Sequence, residues 1–209
     1  QASNCGYKID WKSNFIQKHE GTPLKNIAIS CNNIIQKGEA VITKFGLEGN
    51  AIYGLSPEIR AQLNAISKAT VFIDFKPSLT LENILSKIKK SIFKNTTQIL
   101  KKELKLSPSQ IDLLKTYLSK ESYLNIESLA KNIKKFPLEL IETASIDEAI
   151  STVGGIDLNA ISKNFELKKM PNQFCIGEML DWDVPTGGYL LQASASIGVY
   201  LAKYLNETN

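Results

Sequence analysis

The sequence predicts an α+β fold: an antiparallel sheet or small barrel, a helical subdomain inserted into it, and a strand, acidic turn and helix near the C-terminal end. Three observations carry that expectation. Apolar residues alternate over 27–43 and again over 69–75, the period of two that a half-buried strand needs. From Ser78 the period becomes helical, and alternation resumes after Pro137 in the run LELIETA. Finally, Met170–Leu205 reads as an apolar strand at Phe174–Ile176, a turn bearing Glu178 and Asp181, the pair Gly187–Gly188, and a helix lined by Ala193, Ala195, Ser196 and Gly198.

Taken in order, Ile27, Ile29 and Cys31 alternate on one strand and Ala40 and Ile42 on a second, with Gln36, Lys37 and Gly38 as the expected turn of a hairpin. A glycine-rich stretch, TKFGLEGNAIYGLSPEIR, follows, and a short helix is expected from Ser56 with Pro57 at its first position. Residues 69–75, ATVFIDF, are β-branched and aromatic and stop at Pro77, as a strand does; Asp74 within it is expected to face solvent, pair with a lysine or face a pocket. Three or four helices should follow. Leu81, Ile84, Leu85, Ile88 and Ile92 make one apolar face, Ile111, Leu114 and Leu118 a second, and Ile126, Leu129 and Ile133 a third. Ser107, Pro108 and Gln110 spell a capping box with proline at the first helical position, and Asn125 suits the cap of the last helix. Ser145 with Glu148 suggests another box, opening a short helix in SIDEAIST that Gly154 and Gly155 end.

Bulk properties narrow the function. With 209 residues and 43% hydrophobic content the chain can bury a core, as one large domain or two small ones. The net charge of +4 comes from lysine, Arg60 being the only arginine, which argues against a nucleic-acid partner that relies on bidentate contacts. Lysines 87, 89, 90, 94, 101, 102 and 105 read as a solvated helical face. No apolar run reaches the ~18 residues of a membrane span. Cys5, Cys31 and Cys175 form neither a CxxC pair nor an even set, so no metal site or disulfide framework is indicated, and a reducing cytoplasm is the simplest setting. The sole histidine, His19, stands between Lys18 and Glu20 and is expected at the surface, which removes the parts for a Ser-His-Asp or metal-histidine mechanism.

The run GEMLDWDVPTGGYLLQASASIG resembles the C-terminal flavin-contacting segment of the HI0933-like, or BaiN-type, FAD-dependent flavoproteins, through Gly177, Glu178, Asp181, Thr186, Gly187, Gly188, Tyr189 and Gln192. Asn4, Cys5, Gly6, Trp11, Phe15, Pro23, Leu24 and Lys25 are similar to the middle of the same family, and the string around Thr152, Gly154 and Gly155 is similar to the one that leads back to its flavin domain. The resemblance implies that all these cofactor-side positions, 152, 154, 155, 177, 178, 181, 186–189 and 192, line an FAD site in a Rossmann-like domain. It further implies that Thr43, Gly46, Glu48, Gly49 and Tyr53 lie beside the substrate, although Glu48 and Asn50 depart from the family's serine and proline. Read without the resemblance, the glycine pair is a tight turn, and Gly154 is a helix C-cap.

No GxGxxG follows a strand anywhere in the chain, so the resemblance implies a C-terminal fragment whose partner is an N-terminal FAD-binding half; a deliberately shortened chain, a truncation and a split protein all remain open. The expected organisation is a connector over 1–22, a sheet substrate domain over 23–77 and 137–156, an inserted helical subdomain over 78–136, and the C-terminal part of the FAD domain over 157–209. The expected function is that of the substrate domain and flavin-contacting segment of an oxidoreductase acting on a small molecule, the fragment alone being inactive. No catalytic residue stands out; Tyr189, Tyr53 and Glu48 are the candidate proton donors. The alternative is a non-enzymatic interaction or RNA-associated module that uses the lysine-rich helices.

Overall fold

In the computed structural model, which describes residues 1–208, hydrophobic alternation becomes a curved antiparallel sheet capped by helices. The chain divides into two compact units, one of Gly6–Ala144 and one of Gln1–Cys5 together with Ser145 onward. In chain order the elements begin with β1 (Ala2–Ser3), which belongs to the second unit, and β2 (Tyr7–Lys8), which joins the sheet of the first. Both fall in the stretch expected from sequence to be a connector.

In the first unit, α1 (Ser13–His19) leads to β3 (Pro23–Cys31), β4 (Ile34–Ile42), β5 (Gly46–Glu48), α2 (Asn50–Tyr53), α3 (Ser56–Ile66) and β6 (Ala69–Asp74). Five helices follow, α4 (Leu81–Lys89), α5 (Thr96–Lys102), α6 (Pro108–Tyr117), α7 (Lys120–Leu124) and α8 (Ile126–Lys134), before β7 (Phe136–Leu140) and β8 (Glu142–Thr143). The sheet order is β7-β6-β3-β4-β5-β2-β8, every ladder antiparallel. Its two edge strands are consecutive in the chain with Ile141 alone between them, and the Ile141 N–H donates to Lys8 O at 2.9 Å. The sheet therefore curls until its ends share one stretch of backbone, although no ladder joins β7 to β8. Leu24, Ile27, Ile29, Ala40, Ile42, Leu47, Val71, Ile73 and Leu140 are buried on it.

Local chemistry explains where the sequence reading needs correction. The β3–β4 turn lies at Asn32–Asn33 and not at Gln36–Gly38, which are inside β4; Asn32 takes φ 51°, a left-handed conformation that asparagine tolerates. His19 is buried rather than surface-exposed. Phe15 and His19 are four apart and share one face of α1, their ring centroids 5.0 Å apart, and His19 Nε2 lies 3.0 Å from Asp112 Oδ2. Ile92 is 86% exposed because α4 ends before reaching it.

The helical block follows its caps. Thr80, Asn95, Ser107, Ser119 and Asn125 each accept a hydrogen bond from the N–H three residues on, and Ser107 and Gln110 form the complete box. Lys134, at the end of α8, fastens this block to the sheet: its ammonium donates to Asp74 Oδ2 at 2.5 Å and to the carbonyls of Leu79 and Lys76 at 2.7 and 3.0 Å. Asp74 thus has the lysine partner expected of it.

The second unit has little regular structure before its last helix. β1 pairs with β9 (Ser151–Thr152), and α9 (Tyr189–Thr208) ends the described chain. A small core of Ile161, Cys175 and Leu180 is overlaid by Ile156, Phe165, Leu167, Trp182 and Ile197. The expected strand at Phe174–Ile176 reduces to a single bridge between Phe174 and Glu166, because no neighbouring strand continues the pairing. Likewise the helix expected in SIDEAIST is one 3₁₀ turn, Ile146–Glu148, and β9 separates it from the two glycines.

Candidate functional site

Two stretches remote in sequence meet in the second unit. The turn after β9 carries Thr152, Gly154 and Gly155; the 3₁₀ turn Gly177–Met179 and the residues behind it carry Glu178 and Asp181. Glu178 Oε1 accepts from the Thr152 N–H at 2.9 Å and from the Thr152 hydroxyl at 3.2 Å. Asp181 Oδ1 accepts from the Gly154 N–H at 3.0 Å. The backbones run side by side: the Ile156 N–H donates to Met179 O and the Asp181 N–H donates to Ile156 O, both at 2.9 Å. Four of the expected cofactor residues, Thr152, Gly154, Glu178 and Asp181, are thereby brought into one hydrogen-bonded junction.

Gly155 is required by this approach, since a Cβ there would stand 2.6 Å from Met179 O. Gly177 adopts φ 66°, and its carbonyl accepts from the Trp182 indole N–H at 3.1 Å. A Cβ at Gly177 would rest 3.5 Å from Ser194 Oγ, so the small residues of α9 let the helix lie against this turn. Each carboxylate is used through one oxygen, which leaves Glu178 Oε2 and Asp181 Oδ2 without a protein hydrogen bond among the described residues.

The glycine pair sits immediately before α9 with φ of 117° at Gly187 and 87° at Gly188, and the Gly188 carbonyl accepts the first helical bond, from Gln192 N at 3.0 Å. Both glycines are exposed; apart from its two chain neighbours, no residue comes within 4 Å of the place a Cβ on Gly188 would take, whereas a Cβ on Gly187 would meet the Tyr189 ring at 3.4 Å. The backbone N–H groups of the first turn have no intrahelical partner and carry the positive end of the helix dipole. Thr186 is half-buried and Tyr189 exposed. Gln192 differs from the expectation of a pocket contact in one respect: its amide donates along the helix to Ser196 Oγ at 3.2 Å.

Ser3, Asn4 and Asp183 hold the approach to the glycine pair, and sequence reasoning gave them no such role. Ser3 Oγ donates to Asp183 Oδ1 at 2.7 Å, while the buried Asn4 amide donates to Ser151 Oγ and Val184 O at 2.7 and 2.6 Å. The signal for Asn4 was its place in the Asn4-Cys5-Gly6 run; nothing in the sequence connects it to residues 151 and 184.

In the first unit, the residues expected beside a substrate form a tight crossing of strands. The Gly46 N–H donates to Thr43 Oγ1 at 3.1 Å, and a Cβ on Gly46 would stand 1.7 Å from Tyr7 O. Gly49 has φ 110° and a Cβ on it would stand 3.0 Å from Glu39 O, Glu48 lies on β5 opposite Val41, and Tyr53 ends α2. A cavity of about 520 Å³ in the same unit is lined by Ile9, Asp10, Thr70, Tyr117, Phe136 and Glu139 among others, and by none of residues 43–53. Among the described residues, no group of three or more histidine, cysteine, aspartate or glutamate side chains could hold a metal ion, and no helix is long and apolar enough to cross a membrane.

Comparison with known families matches residues 1–151 to the family model described as "HI0933-like protein barrel and H2TH domain". The match takes in the curled sheet and the five helices, and ends before the Gly177–Gln192 segment.

Proposed function

The chain belongs to the HI0933-like family, which is of the flavoprotein oxidoreductase kind, and from that premise we propose that it supplies the substrate domain and the C-terminal flavin-contacting segment of an FAD-dependent oxidoreductase. The supporting observation is the junction of Thr152 and Gly154 with Glu178 and Asp181, together with the open glycine approach to α9 in the same unit. These residues fit a flavin nucleotide. The free oxygens of Glu178 and Asp181 can accept from ribityl or ribose hydroxyls. The N–H groups of Gly187, Gly188 and Tyr189 can hold an anionic edge, because no side chain beyond its chain neighbours stands over Gly188.

FAD, when bound, supplies the hydride chemistry. This chain's part is to orient the nucleotide, stabilise negative charge through the start of α9, and exclude water around a small-molecule substrate. Thr152 and Gly155 shape the wall that Glu178 and Asp181 brace, and Thr186 and Gln192 flank the glycine pair. Thr43, Gly46, Glu48, Gly49 and Tyr53 are proposed on the substrate side, the glycines acting by allowing close backbone approach. The pyrophosphate needs a glycine-rich loop after a strand, absent from these 209 residues, so a nucleotide-binding half is the proposed partner. A reducing cytoplasm is the proposed setting, in keeping with three buried cysteines that show no CxxC spacing.

The test is spectroscopic. A protein that joins this chain to its nucleotide-binding half is expected to purify yellow, with about one FAD per polypeptide; a colourless product that cannot be reconstituted with FAD overturns the proposal. Within that protein Gly188→Val is expected to weaken FAD binding. Gly21→Val is the control, since Gly21 has φ 76° with no atom within 4 Å of its Cβ position, and imposes similar strain elsewhere. Equal FAD affinity in the two variants would reduce the glycine pair to a turn.

A further inference from the structure

Between α5, α6 and α7 the helical block leaves a hollow of about 490 Å³, within the roughly 300–1,000 Å³ of small-molecule sites. Three lysines line it: Lys94 just before α5, Lys115 in the last turn of α6, and Lys120 at the start of α7. None of the three has a carboxylate or hydrogen-bond partner among the described residues. Their convergence is fixed by the caps, since Asn95 and Ser119 set where α5 and α7 begin. On the same wall Thr97 Oγ1 and Tyr123 OH are 3.0 Å apart. One of those two hydroxyl protons is used between them, and the other can donate into the hollow. The Tyr123 ring and Leu124, 56% exposed, add apolar surface.

Three like charges around one cavity that no acidic residue lines repel one another, and the surroundings deepen the effect. Residues 78–136 hold twelve lysines against five acidic residues, a net +7, whereas the rest of the chain is net negative. The neighbouring hollow lined by Lys12, Lys18 and Lys115 is different: it contains Asp112, and the Lys12 ammonium donates to Thr116 O at 2.7 Å. We infer that the hollow between α5, α6 and α7 binds a phosphorylated small molecule, its phosphate held by Lys94, Lys115 and Lys120 with the Thr97–Tyr123 hydroxyl pair, and its organic part on Tyr123 and Leu124. Lysine meets phosphate as a point charge and needs no planar fork. A dianion answers three ammonium groups better than a carboxylate does. Residues 78–136 contain no arginine, and the charges converge on a concavity, which favours a small ester over a polynucleotide.

Isothermal titration of the whole 209-residue chain with phenyl phosphate, inorganic pyrophosphate and inorganic phosphate tests this. Saturable binding of phenyl phosphate is expected, stronger than that of inorganic phosphate. The triple variant K94Q/K115Q/K120Q should weaken it by about tenfold or more, and Thr97→Val should weaken it without any change of charge. K87Q/K89Q/K131Q, which removes the same charge outside the hollow, should stay within about twofold of the parent. Circular dichroism confirms that each variant is folded. Equal losses in the two triple variants, or no saturable binding, overturn the inference. So does a single-stranded oligonucleotide that displaces phenyl phosphate and binds more tightly with a steep salt dependence, the mark of a nucleic-acid surface.

Discussion

Glycine has two different jobs in this chain, and only the folded structure separates them. Gly46 is needed for space, since its Cβ would stand 1.7 Å from the Tyr7 carbonyl and force β2 away from β5. Gly154 is needed only for its conformation, φ 94° with nothing within 4 Å. Gly46→Ala is therefore expected to cost ~3 kcal/mol or more, and Gly154→Ala roughly 1–2 kcal/mol. Urea denaturation measures both, and equal losses would show that strain, not crowding, governs each site. Cys31 makes a second residue-scale prediction. Burial, with Glu58 adding to it, pushes its thiol from 9.0 up to about 11, against the opposing pull of the Asn32 backbone. The folded chain keeps this proton where the unfolded chain has lost it. Its stabilising contribution is full below pH 9 and disappears as pH rises through about 11. The difference in urea midpoint between the parent and Cys31→Ala should shrink over that range, and Cys31 should resist alkylation at neutral pH. A difference that does not change with pH would place the thiol in contact with water.

The elements show how far local sequence reaches. Capping residues set the helix starts at Thr80, Asn95, Ser107, Ser119 and Asn125, because each side chain satisfies an N–H only three positions away. Ser107 also shares a hydrogen bond of 2.9 Å with buried Ser109. Ser107→Ala is expected to cost ~1–2 kcal/mol, and Ser119→Ala, at the exposed start of the five-residue α7, ~0.5–1 kcal/mol. Thermal denaturation of both variants gives the comparison, and a larger loss at Ser119 would contradict it. Local reading failed where a pattern had two solutions. Gly38 looked like the turn of the first hairpin, but the register places it opposite Ile27, and Asn32 turns the chain instead. Phe174–Ile176 has strand composition, yet a strand needs a neighbour, and only one bridge is available.

At the scale of the molecule, charge and apolar surface are distributed unevenly. The helical block concentrates the positive charge, while the second unit keeps large apolar side chains in water. On α9, Tyr189 is 62% exposed, Leu191 79% and Val199 57%. Exposed apolar side chains on one helix are expected to bind a hydrophobic dye such as anilinonaphthalene sulfonate. The double variant L191E/V199E should lower that fluorescence at least by half or so while leaving the circular dichroism unchanged. Undiminished fluorescence would place the dye on another surface.

Sequence by itself determined the α+β class, the family and the helix caps at Ser107 and Asn125, and it marked Gly177, Glu178, Asp181 and the glycine pair as the candidate stretch. Each of these rests on a short-range cause: a two- or 3.6-residue period, a side chain reaching three residues on, or a motif read as a string. Tertiary structure alone decided that one residue, Ile141, separates the two edges of the sheet, and that His19 is buried against Phe15 and Asp112. It also decided that Glu178 and Asp181 spend one oxygen each on Thr152 and Gly154, residues 26 and 27 positions away. Such pairings depend on loop closure and on which buried donors remain unsatisfied after folding, and no local pattern in the chain encodes either.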